Sequence, residues 1–280
     1  MSAGAARPAE FAEWQRFVKE ACGVWLDDTK GYLLETRLGG ILRDTGDPGL
    51  GELLNRVRAE GSGALRSKVI NAITTHETSF FRDGAPFDLL KERLIPDLVA
   101  RRTRMGLKPV PLRILSAACS TGQEAYSTAI TLKETLIDLS AYDIRILGLD
   151  ISDKAVAHAA TGCYSRIELE RGLSPERIAR HFAAHGSAWR IRDELRSLAT
   201  FRRANLLEPV MGPLAFDVIF CRNVAIYFTE PDKVRLFRNL GRSLAKDGAL
   251  IIGSTETLSN LCPEFEAQRH ARSVWYRKKE

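Results

Sequence analysis

RILSAACSTGQEAYSTAI, from Arg113 to Ile130, reads as a buried strand, a turn of small residues and then a helix. That order sets the backbone N–H groups of a helix N-terminus beside a turn with almost no side chains, which suits a small molecule carrying polar groups. The spelling narrows the choice. Neither G-x-G-x-x-G nor G-x-x-x-x-G-K-[ST] is present, since Ala117 to Gly122 lead into Gln123 and Glu124 without a lysine. A carboxylate at that helix start repels phosphate but attracts a cation or accepts from an ammonium. S-adenosylmethionine, with a sulfonium and an amino group, therefore suits the stretch better than ATP or NAD. The alternative is that Glu124 is only a first-turn carboxylate favoured by the helix dipole.

Outward from this stretch, strand-like and helical runs alternate. Strands are expected over Arg113–Ala118, Asp143–Asp150, Thr200–Leu206, Phe216–Arg222 and Ala249–Ser254, with helices near Gln123–Leu139, Asp153–Ala160 and Pro231–Leu244. Such alternation predicts an α/β fold: a doubly wound, mostly parallel sheet with helices on both faces and ligands at the carboxyl ends of its strands. The residues just past those ends form a consistent set. Asp150, 28 positions beyond Gly122, can accept from both hydroxyls of a ribose. Asn205 can donate to and accept from an adenine edge. Arg222 and Asn223 follow the fourth strand. Any one of these could instead be a helix cap or loop residue.

The first hundred residues carry helical periodicity instead, as in Phe11, Trp14, Phe17, Val18 and Ala21. We expect a small all-helical N-terminal domain over 1–85, a linker helix and connection over 86–112, and the α/β domain over 113–280. Lys30, Arg37, Arg43, Arg56, Arg58, Arg66 and Lys68 lie off the core positions of these helices. No apolar run is long enough to span a membrane, and the N-terminus lacks an apolar signal core. The five cysteines are scattered without a C-x-x-C pair, which argues for a reducing cytoplasm and against a zinc site. The net charge of +6 permits anionic partners without choosing among them.

A second segment, ITTHETSFFRD over residues 73–83, joins two aromatics to several hydroxyls and Arg82 at the end of a helical pattern. Here the sequence resembles the CheR-type chemotaxis methyltransferases, which use S-adenosylmethionine to esterify glutamates on chemoreceptors. TTHETSFFRD resembles that family's T-x-F-F-R segment, AACSTGQEAYSTAI its cofactor loop and FDVIFCRNVAIYF its fourth-strand motif. LGLDIS, ANLLEP and DGALIIGSTETL extend the likeness, so that it spans residues 74–258.

The resemblance implies a fold of the S-adenosylmethionine-dependent methyltransferase type, with S-adenosyl-L-homocysteine as product and no metal. It implies cofactor contacts by His76, Thr78, Arg82, Glu124, Asp150, Asn205, Leu206, Arg222 and Asn223, and assigns Arg82 and Tyr227 to orienting methyl donor and acceptor. For Tyr227, packing under the sheet edge is the alternative. Two departures stand out: His76 where the family often has Asn, and Gln123 where it often has a first Glu. The expected partner is the cytoplasmic domain of a chemoreceptor, met by a cytoplasmic, monomeric enzyme that inserts into no membrane. Some family members dock a receptor's C-terminal peptide on a glycine-bearing loop of a small β subdomain. The corresponding stretch, near 182–199, has a short loop at Ala183–Ala188, so action without that tether is expected. A nucleic-acid methyltransferase is the rival enzyme, but no [DNS]-P-P-[YF] element follows the fourth strand and no basic aromatic stripe is present. A non-catalytic binding module is the rival of another class.

Overall fold

A computed structural model describes residues 8–209 and 215–279. The described chain opens with helices α1 (Pro8–Cys22), α2 (Gly31–Thr45), α3 (Leu50–Glu60) and α4 (Ala64–Ile73). Their apolar stripes meet in one core around Trp14, Leu34, Leu38, Leu53, Val57 and Val69. Trp14 is fully buried, and its indole N–H donates to Leu50 O at 3.1 Å.

The helix expected beyond Pro86 is broken into α5 (Ala85–Leu89), one π turn (Leu90–Leu94) and α6 (Ile95–Arg104). Pro96, in the first turn of α6, has no N–H to give, and the ladder widens into a π turn just before it.

The sheet elements follow. They are β1 (Val110–Ala117), α7 (Gln123–Thr135), β2 (Tyr142–Asp150), α8 (Asp153–Thr161) and β3 (Cys163–Tyr164). Next come α9 (Arg166–Glu170), α10 (Pro175–His181), β4 (Phe182–His185), β5 (Ala188–Ile191), α11 (Asp193–Arg196) and β6 (Ala199–Arg203). The chain finishes with β7 (Phe216–Cys221), α12 (Glu230–Ser243), β8 (Leu244–Ile252), β9 (Phe265–His270) and β10 (Ser273–Lys278). The large sheet runs β6-β2-β1-β7-β8-β10-β9, parallel through β8, with β10 antiparallel to both its neighbours. One apolar layer lies on each face: Ile114, Ile130, Ile146 and Phe220 on one side, Leu115, Leu149, Ile219, Phe237 and Leu240 on the other.

Several expected boundaries move for local reasons. The third core strand stops at Arg203: Ala204 N makes the last ladder bond, to Asp150 O at 2.8 Å, and Asn205 Oδ1 then takes Leu207 N into a turn. Helix α7 stops at Thr135, where Leu136 becomes extended. The last two strands were not expected at all. The β3, β4 and β5 strands form a separate antiparallel sheet, in which His185 pairs with Ala188 across a two-residue turn with Gly186 at φ +62.

Candidate active site

The turn after β1 is shaped by left-handed residues. Ala118, Ser120 and Gly122 take φ of 61, 50 and 96, so backbone N–H groups turn toward the strand ends with little side chain in the way. Any side chain at Gly122 would be strained, because a Cβ there would lie 2.9 Å from Ala159 Cβ and 3.0 Å from the Tyr164 hydroxyl at a φ of +96. Asp150, at the tip of the neighbouring strand β2, is buried and holds the turn: Oδ2 accepts from Ser120 N at 2.8 Å, Oδ1 from Ser152 N at 2.9 Å. Burial pushes its carboxyl above the ordinary range, and the two backbone donors work against that rise. Each oxygen keeps a lone pair for a ligand donor.

Glu124 lies in the first turn of α7. Its carboxylate accepts from Ser116 Oγ at 2.7 Å and from Arg222 Nη1 at 3.2 Å. Burial raises its pKa, with Arg222 and Ser116 opposing the shift. Arg222 has a side chain only 2% exposed. It reaches across to loop 74–83, donating to Arg82 O at 2.8 Å and Asp83 Oδ2 at 2.6 Å, while its Nε is buried without a partner. Glu124 and Arg222 thus serve each other and the loop as well as facing the cavity.

That loop lies over the strand ends. Phe80 enters the main core, Phe81 N donates to Ser127 Oγ at 2.9 Å, and Ser120 Oγ donates to His76 O at 3.0 Å. Phe81, Asp83 and Gly84 take positive φ, which turns Arg82 back so that its guanidinium donates to Glu77 O at 3.1 Å. Tyr227, which also lines the cavity, sits in a 3-10 turn after β7, and its carbonyl accepts from Trp25 N at 2.8 Å. Asn223, at φ 58, is fixed through its N–H to Glu256 Oε2 at 3.1 Å.

All ten residues expected from the sequence (His76, Thr78, Arg82, Glu124, Asp150, Asn205, Leu206, Arg222, Asn223 and Tyr227) line one cavity. It contains about 980 Å³ of atom-free space, some of it open to solvent. Cys22 and Val24 also line it, a contribution from the helical region that the sequence did not reveal. Gly23 is what brings them there: at φ +78 it sits where a Cβ would lie 2.6 Å from Leu207 Cδ1. The one available signal was a glycine directly after an amphipathic helix, which reads only as a helix stop. Burial raises the Cys22 thiol to about 11, so it is an apolar wall and no nucleophile.

The cavity suits S-adenosylmethionine on this structure's own terms. Glu124 and Asp150 place carboxylates where a phosphate would be repelled and a cation with hydroxyl and amino donors is accommodated. The left-handed turn around Ser120 leaves room for a ligand against the backbone.

Comparison with known proteins agrees. The CheR methyltransferase all-alpha domain matches residues 9–74, and the CheR methyltransferase SAM binding domain matches residues 76–274. Chemotaxis protein methyltransferase 1 of Pseudomonas aeruginosa is 36% identical over 275 residues, 97% of this chain and 98% of that protein. Chemotaxis protein methyltransferase Cher2 of Pseudomonas putida is 34% identical, covering 96% of this chain and 98% of that protein. The chemotaxis protein methyltransferase of Escherichia coli is 34% identical over 92% of this chain and 87% of its own length.

Proposed function

The chain belongs to the CheR methyltransferase family and is an S-adenosylmethionine-dependent methyltransferase, and on that premise we propose that it esterifies glutamate side chains on cytoplasmic helices of chemoreceptors. The observation that carries this reading is the meeting of Arg82 and Tyr227 with Glu124 and Asp150 around one cavity. When bound, the cofactor supplies a methyl group on a sulfonium, which leaves as a neutral thioether when a carboxylate oxygen takes the carbon. A glutamate is already ionised near neutral pH, its ordinary pKa being about 4.3, so no general base is needed.

The protein's part is positioning and removal of water. Asp150, Asn205 and Leu206 hold the nucleoside side, while the turn at Ser120, Glu124, Arg222 and Asn223 frame the charged end. His76 and Thr78 face the cavity from the covering loop. Arg82 offers a guanidinium to the incoming carboxylate, and Tyr227 walls the transfer site opposite it. Arg82→Ala is expected to reduce methyl transfer at least 100-fold with an unchanged melting temperature; a well-folded variant of normal activity would refute the assignment.

The acceptor is met from the helical side. Of the basic residues there, Arg37 reaches the covering loop, bonding Ile73 O and, at 3.1 Å, Thr75 Oγ1. Arg56 and Arg58 are paired with Asp47 and Glu13; the Lys30 side chain lies outside the described residues. The two-residue turn between β4 and β5 supports action without a receptor-tail tether. The protein acts as a cytoplasmic monomer built of a helical unit to residue 85, a connection over 86–112 and the catalytic unit, and no described helix is long and apolar enough to cross a membrane. Incubation with labelled S-adenosylmethionine and receptor cytoplasmic fragments should yield base-labile methyl esters. Base-stable label, or label in RNA, would sink the substrate assignment.

A further inference from the structure

Loop 74–83 carries Arg82 on backbone that needs outside support. Phe81, Asp83 and Gly84 take φ of 48, 66 and 55, and a bulky Phe in the left-handed region is strained unless its surroundings fix it. Much of that support comes from one stretch, the chain from β3 to β4. Tyr164 and Phe182 meet the Phe80 ring edge-on, with centroids 5.0 and 5.5 Å away. Between them the backbone at Gly172 passes so close that a Cβ would lie 1.9 Å from Phe80 O. Arg177, on α10, sets its guanidinium carbon 4.0 Å from the centroid of the Phe81 ring.

Arg177 is itself locked. Its Nε donates to Glu134 Oε1 at 3.0 Å and its Nη2 to Oε2 at 2.7 Å, a two-pronged grip on one carboxylate. Glu134 ends α7, the same helix whose Ser127 Oγ takes the Phe81 N–H at 2.9 Å. One helix thus holds Phe81 twice, directly through the backbone and by way of Arg177 through the ring. The ring face attracts the cation, and the fork fixes where that cation stands. Arg82 is the next residue. Its guanidinium donates to Glu77 O within the same loop, so its aim depends on how the loop is held.

We propose that Arg177, locked by Glu134, is a positioning residue for methyl transfer: by capping the Phe81 ring it fixes the strained turn that aims Arg82. The segment between β3 and β4 then serves the reaction as a strut under the covering loop. Neither Arg177 nor Phe81 lines the cavity, so neither touches cofactor or acceptor, and their effect passes through Arg82.

The proposal rests on the reading of Arg82 as the group that meets the acceptor carboxylate, and two measurements on the full chain separate the two. One is methyl transfer to receptor cytoplasmic fragments; the other is amide hydrogen exchange of the ligand-free protein. Arg177→Ala should lower kcat about tenfold and leave the S-adenosylhomocysteine dissociation constant within a few-fold of wild type. It should also speed exchange of the Phe81 and Arg82 amides while β1 and β7 keep their protection. Arg177→Lys keeps a cation for the ring but loses the fork, so its kcat should fall between the two. Phe81→Leu removes the ring and leaves the Arg177–Glu134 pair intact; it should repeat the Arg177→Ala result even if that variant folds poorly. In an Arg82→Ala background, Arg177→Ala should cost nothing further, because changes that act through one group do not add. A merely structural role would add its own loss. An additive pair, normal kcat in both Arg177→Ala and Phe81→Leu, or unchanged exchange at residues 81 and 82 would overturn the proposal. Wild type that methylates no receptor fragment would overturn the acceptor reading instead, and the exchange rates would still decide whether Arg177 holds the loop.

Discussion

Asp150 is asked to do two things with one carboxylate. It closes the β1–α7 turn through Ser120 N and Ser152 N, and it faces the cavity on the side proposed for the ribose. Asp150→Ala is therefore expected to raise the cofactor dissociation constant more than tenfold in calorimetry. An unchanged constant would leave Asp150 a purely structural residue. Arg222 shows where residue-level reading of the sequence reached its limit. Its position just after a strand pointed to the cavity, and the structure places it there. Its strongest partners are Glu124, and Asp83, 139 residues away in sequence. Nothing in local spacing announces such a pairing, because it arises only when the covering loop folds back over the sheet.

At the scale of elements, the alternation of apolar runs made the parallel strands and their helices readable. What stayed hidden was backbone that local hydrogen bonding redirects: the early end of β6 at Arg203, the π turn before Pro96, and the antiparallel pair β9–β10, whose exposed edge carries too many polar residues to read as buried strand. Two predictions belong here. Gly122→Ala would force a Cβ against Ala159 and strain a φ of +96. It should cost about 1–3 kcal/mol in urea unfolding and weaken cofactor binding; wild-type values for both would mean the turn relaxes freely. Strands β1 and β2 are also tied at their entry ends by Arg113 and Asp143. The Arg113 hydrogen bond holds the Asp143 carboxyl below its ordinary range. A depressed acid contributes stability that is present above its unfolded value near 3.9 and is lost as pH falls through the folded value. Being near the surface, the pair is worth only about 0.2–1 kcal/mol. Asp143→Asn should then lower stability by that amount at pH 7, and the gap should close as pH falls below the folded value of Asp143. A gap that widens with acid would contradict the assignment.

Over the whole molecule, the helical region and the sheet meet where the ligand belongs. Asn71 bonds Ser152 and Asp153, Arg203 reaches Ser67 at 3.3 Å, and Trp25 N meets Tyr227 O. Ligand contacts on both sides should couple binding to the stability of the entire chain. Saturation with S-adenosylhomocysteine at 100 times its dissociation constant should add about 2.7 kcal/mol to unfolding. Asn71→Ala should reduce cofactor affinity several-fold although its side chain lines no part of the cavity and only its carbonyl reaches a lining residue, His76. An effect confined to helix stability would show that the two regions act separately.

The Arg222 bridge has a bearing on turnover. Lifting loop 74–83 off the sheet would separate a guanidinium that is 2% exposed from Asp83 and the Arg82 carbonyl and strand charge in a poorly solvated place. Irregular backbone usually exchanges its amide hydrogens within the dead time of a measurement. Here Phe81 and its neighbours should exchange on the slow clock of the sheet, so product would have to leave past a fixed rim, with no flap swinging aside to let it go.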